Sequence, residues 1–91
     1  MELEGRVWKD GKDPGWLVEV PYLHVMTQGT TRKDALFMIS DAIQLLMEET
    51  FEGFEFEIKV TYYGNDLFEI SCSDSNLLSA FALRRQRDPL L

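Results

Sequence analysis

A chain of 91 residues is enough for one domain with a thin core, and an apolar share of 45% excludes a disordered chain. Sixteen Asp and Glu against nine Lys and Arg leave a net charge of −7, which opposes autonomous nucleic-acid binding, because that binding rests on neutralising phosphates with basic groups. A single cysteine, Cys72, excludes an intrachain disulfide and fits a reducing, cytoplasmic setting, and no stretch approaches the roughly 18 apolar residues of a membrane span.

Leu3 to Lys9 predicts a first strand, followed by a turn cluster of Asp10, Gly11, Asp13, Pro14 and Gly15. Trp16 to Val20 predicts a second strand with Trp16, Val18 and Val20 on one face. The two strands form a hairpin, in which Trp8 and Trp16 are expected as a cross-strand aromatic pair. Pro21 marks a strand end, and His24 to Gln28 predicts a short third strand closed by Gly29.

The period then changes. Thr31 is an N-cap and Asp34 follows three residues later, as in a capping box with the shorter acid. Leu36, Ile39, Ile43, Leu46 and Met47 form one stripe with Ala35 and Ala42 beside it, predicting a helix from about Arg32 to Glu49. After Gly53, Phe54 to Tyr63 alternates as a half-buried strand. Phe54, Phe56, Ile58, Val60 and Tyr62 face inward, and Glu55, Glu57, Lys59, Thr61 and Tyr63 face water. Gly64, Asn65 and Asp66 make a tight turn, and Phe68, Ile70 and Cys72 continue the inner face on a fifth strand. Ser73 or Asp74 caps a last helix with Leu77, Leu78, Phe81 and Ala82 inward, ended by Pro89. The expected class is α+β: an antiparallel sheet covered on its apolar face by one long helix. The last helix packs beside the first or reaches a neighbouring subunit.

The carboxylates raise the question of metal chemistry. Glu55 and Glu57 share one strand face, but Lys59 and Thr61 continue it, as on a solvated surface; Glu48, Glu49 and Glu52 stand near a helix end. His24 is the single histidine and has no second one with which to share a metal. No nucleophile motif and no phosphate-cradling glycine loop is present. The expectation is a non-enzyme, with no catalytic residue, metal or cofactor. Arg84, Arg85 and Arg87 form the one cluster able to touch phosphate, and equally suit a helix C-terminus. Phe37 lies off the core stripe of the long helix, with Met38 and Leu45 toward its flank. Either a partner or the last helix covers them. This apolar flank and the small core predict a homodimer or larger oligomer.

From Trp16 to Gln44 the chain resembles the HicB family. The resemblance is carried by Trp16-Leu17-Val18-Glu19-Val20-Pro21, then Thr27-Gln28-Gly29, Thr31, Asp34-Ala35-Leu36 and Ile39 to Ile43. The segment Leu83-Arg84-Arg85-Gln86-Arg87 is similar to the lead into a DNA-binding helix-turn-helix in longer members. The sequence departs from the family pattern in two places. Leu23-His24-Val25-Met26 stands where many members carry a second proline and a glycine, and the sequence stops at Leu91, where the DNA-binding module would begin.

The resemblance implies a β-β-β-α-β core of partial ribonuclease H-like type, here with an added strand and a C-terminal helix. Residues 1–73 would form that domain, and 74–91 an oligomerisation or linker segment. It also implies an antitoxin that covers a basic messenger-RNA nuclease of HicA type. Glu48, Glu49, Glu52, Glu55, Glu57, Glu69 and Phe37 are the expected partner contacts. The alternatives are an operator-binding autorepressor acting through Arg84, Arg85 and Arg87, an orphan oligomeric domain, and a stand-alone hydrolase.

Overall fold

The computed structural model describes residues 1–11 and 15–87, the side chain of Arg87 excepted. The turn residues Asp13 and Pro14, and Pro89 and Leu91, lie outside the described residues. Strands β1 (Glu2–Lys9) and β2 (Trp16–Val20) are joined by a hairpin, and a 3-10 turn (Pro21–Leu23) leads into β3 (Val25–Gly29). Helix α1 (Arg32–Thr50) follows, then β4 (Ile58–Gly64), β5 (Leu67–Cys72) and α2 (Ser75–Arg87). The five strands form one sheet in the order β3-β2-β1-β5-β4, and every neighbouring pair is antiparallel. The added strand β5 is thus inserted between β1 and β4.

Alternation decides the two faces of the sheet. Leu3 and Val7 of β1, Val18 and Val20 of β2, Val25 of β3, and Phe68, Ile70 and Cys72 of β5 are buried beneath the helices. Ala35, Ile39, Ile43 and Met47 of α1 close over them, as does α2 through Leu77, Leu78, Phe81 and Ala82. Among the described residues no polar or charged side chain is fully buried, so packing of apolar shape sets the helix positions. Two glycines allow the closest approaches. The Phe68 ring lies on Gly5, and α1 begins so near Gly29 that a Cβ there would stand 2.7 Å from the Ala35 Cα.

The start of α1 is fixed by Thr31, whose Oγ1 accepts the Asp34 N–H at 3.0 Å. The reciprocal bond reaches one residue further back than in a capping box: the Asp34 carboxylate accepts the N–H of Thr30 at 2.8 Å. Arg32, in the first turn, stacks between two rings of distant strands, 4.8 Å from Trp16 and 5.2 Å from Tyr62. The β4–β5 turn has Asn65 and Asp66 both at positive φ, 54° and 63°, the backbone pattern of the two-residue hairpin that matches strand twist.

Several expectations are corrected. Trp8 and Trp16 do not pair: Trp8 stands opposite Leu17, and Trp16 opposite Lys9, so the two rings lie on opposite faces. His24 precedes β3 and takes a left-handed conformation, φ 57°. The strand expected from Phe54 begins at Ile58. Helix α2 shares the core of the sheet, and its Phe81 ring meets Phe51 edge-on at 6.5 Å. No helix of the described residues is long and apolar enough to cross a membrane.

Candidate protein-binding surface

The outward face of α1 mixes acids with large apolar side chains. Asp41, Glu48 and Glu49 are exposed, and among them stand Phe37 at 64% exposure, Leu45 at 52% and Met38 at 37%. Residues three and four apart share a helix face, so Phe37, Asp41, Leu45 and Glu48 form one continuous ridge. Intrachain packing of α2 does not cover it, since α2 lies against β5 and the 3-10 turn.

Beyond α1 the chain turns at Phe51, whose N–H reaches the Met47 carbonyl at 2.8 Å. Gly53, at φ +87°, makes the reversal; a side chain there would be strained. The following residues are fastened on both sides. The Gln44 amide donates to the Phe56 carbonyl at 3.1 Å and accepts the Ile58 N–H at 3.0 Å. Glu57 donates its N–H to Ser73 Oγ at 2.9 Å, and its carbonyl accepts the Ser73 N–H at 3.0 Å. Glu52, Glu55 and Glu57 are exposed on this tethered segment, with Phe54 at 59% exposure beside them. Glu55 and Glu57 therefore belong to a fastened link, not to the strand face on which Lys59 and Thr61 lie. Gln44 was not singled out in the sequence. Its polar side chain beside an apolar stripe is the only sign there of a long-range partner.

Glu69 is not part of this surface. It lies on the helix-free face of the sheet, between the inward Phe68 and Ile70, and accepts the Tyr63 hydroxyl at 2.7 Å. That hydrogen bond, with desolvation and the nearby charges of Glu69 and Glu2, raises the Tyr63 pKa above its ordinary 10.0. The same face carries an open cleft of about 560 Å³ lined by Arg6, Trp8, Asn65, Asp66 and Leu67, in which the Arg6 guanidinium lies 5.8 Å from the Trp8 ring.

The basic cluster at the chain end is divided. Arg84 is exposed, whereas Arg85 spends its donors on the carbonyls of Leu23 and His24, at 2.7 and 3.3 Å. The Arg87 side chain lies outside the described residues. His24 is exposed, and Cys72 is buried and free. Among the described residues no three His, Cys, Asp or Glu side chains are grouped to hold a metal ion. The chain matches no family model, no curated protein and no solved structure.

Proposed function

We propose that this chain is an antitoxin of HicB type that inhibits a basic, RNA-cleaving toxin by covering its RNA-binding face. The observation that carries this reading is the composition of one surface. Between Lys33 and Lys59 the sequence holds Asp34, Asp41, Glu48, Glu49, Glu52, Glu55 and Glu57 and no basic residue. Six of these, from Asp41 onward, are exposed on α1 and the segment after it, interleaved with Phe37, Met38, Leu45 and Phe54.

The two residue types contribute differently. Acids attract a basic partner over distance and set its orientation. Exposed aromatic and aliphatic groups lose water on contact and slow dissociation. An RNA-binding face must present cations to phosphate, so a partner held by these acids cannot engage RNA with the same groups. Glu69, on the opposite face of the sheet, takes no part. The β-β-β-α-β order supports kinship with the partial ribonuclease H-like core of that family, elaborated here by the insertion of β5 beside β1.

The test is co-expression with a basic, RNA-cleaving toxin of HicA type. Growth should be rescued, and the two proteins should co-purify. Changing Glu48, Glu49, Glu55 and Glu57 to Lys should abolish both effects while the circular dichroism spectrum is kept, and Glu69→Lys should leave them intact. Rescue by the folded fourfold variant would remove this surface from the mechanism.

A further inference from the structure

Among the described residues the sheet ends in two edges that pair with no further strand, and they are built differently. On β4, Lys59 stands at the second position of the strand and the register breaks between Tyr62 and Gly64. A lysine and an irregularity are devices that keep an edge from accepting a further strand. The β3 edge has neither. From His24 to Thr30 the sequence reads His-Val-Met-Thr-Gln-Gly-Thr, with no Asp, Glu, Lys, Arg or Pro. Its ladder with β2 runs unbroken from Val20–Val25 to Trp16–Gly29. Every second residue of such a strand turns its N–H and C=O away from its one neighbour. Apolar side chains flank this edge on both faces. Met26 is 54% exposed on the helix-free side, and Met38, at 37%, lies one turn along α1 from the Ala35 that seats on Gly29.

We infer that β3 is the strand through which two copies of this chain pair, antiparallel about a two-fold axis, joining their sheets edge to edge. Two identical antiparallel strands are self-complementary, as a two-fold contact requires. Charge selects the occupant. Two copies at −7 each repel, so they meet best where the surface is uncharged. The acids of α1 and its following segment lead into β4, at the other end of the sheet order from β3. A basic partner is drawn to those acids, and a like-charged copy is left with β3. The pairing stands apart from the antitoxin reading: a monomer that still captured its toxin would overturn the pairing alone.

The experiment is sedimentation of the full chain at micromolar concentration, combined with amide hydrogen exchange. The wild type should have twice the chain mass of 10.6 kDa. The doubly substituted Met26→Lys, Gln28→Lys chain should sediment at the single mass, and Lys59→Gln, on the other edge, should still dimerise. In the wild type, the β3 amides that point away from β2 should exchange more slowly as concentration rises, while the β4 edge amides should not change. That second readout holds even if the double variant misfolds. A wild type of single mass, a dimer kept by the folded double variant, or β3 amides indifferent to concentration would each overturn the inference.

Discussion

Arg85 donates its Nε–H to the carbonyl oxygen of Leu23 at 2.7 Å, across 62 residues of chain. Its Nη2 reaches the His24 carbonyl, and the Gln86 amide takes that of Tyr22. Three successive carbonyls of a tight turn are thereby satisfied by the end of α2. The guanidinium fork suits adjacent acceptors, and hydrogen bonds from charged donors are stronger than neutral ones. Arg85→Ala should lower the free energy of urea unfolding by about 1.5–3 kcal/mol, and Arg85→Lys, with a single point of donation, should recover less than half of the loss. An unchanged urea midpoint for the alanine variant would deny the clamp any role in stability.

The seat of α1 on β3 should tolerate no added atom. A Cβ at Gly29 would meet the Ala35 backbone, which cannot swing aside as a side chain can. Gly29→Ala is expected to cost about 3 kcal/mol, the upper end of the range for overpacking, read as a fall in melting temperature. At Gly5 the obstruction is the Phe68 ring, so the double change Gly5→Ala, Phe68→Leu should be more stable than Gly5→Ala alone. No such rescue is open to Gly29. A Gly29→Ala chain as stable as wild type would mean that the helix is free to lift.

Gln44 ties the acidic link to α1 by accepting from Ile58 and donating to Phe56. Gln44→Met keeps the side-chain length but removes both bonds. We expect a loss of about 1–2 kcal/mol and faster amide exchange at Ile58, whose N–H is donated to Gln44. Under the antitoxin reading proposed above, toxin capture should weaken as well, since Glu55 and Glu57 would lose their fixed position. Unaltered exchange at Ile58 would show that the Ser73 bonds hold the segment without help.

Tyr63 should ionise late. Its hydroxyl donates to Glu69, so losing the proton would place two negative charges together, and its pKa is raised above 10.0. The sign for stability follows from that direction. Below pH 10.0 the bond contributes in full. As pH climbs above 10.0, tyrosine in the unfolded chain loses its proton before the folded one does, and the contribution declines until Tyr63 itself ionises. A difference absorbance titration, wild type minus Tyr63→Phe, should show the tyrosinate midpoint above 10.0, and Glu69→Gln should bring it down. No movement on removing the Glu69 charge would assign the shift elsewhere.

Local signals in the sequence located most of the secondary structure. The cap at Thr31, the stripe of α1, the turn at Asn65 and Asp66, and the inward set of α2 were all legible, because each rests on residues within one or two turns of each other. Parity across a hairpin was not. Trp8 and Trp16 look like partners, but whether two strand residues share a face depends on a register that a loop of unknown geometry sets. The Phe54–Tyr63 alternation also outran its strand. Its pairing partner, β5, ends at Cys72, and the next residue, Ser73, bonds Glu57 outside the ladder. Of the candidate contacts, the acids around Glu48 to Glu57 come together, whereas Glu69 is separated from them by the thickness of the sheet. Arg85, Gln44 and Arg32 found partners far along the chain, which no local pattern reports.

The insertion of β5 beside β1 governs the order in which the protein can be built. Strand β1 has one flank that only residues near Cys72 complete. A ribosome that has released β1, β2 and β3 holds a half-sheet with an open side until α1, β4 and β5 have also emerged. Such distant pairing slows folding and lengthens exposure of unsatisfied edges. A chain truncated ahead of β5 would keep its helix and hairpins but carry the open flank permanently, and should accumulate as aggregate during synthesis.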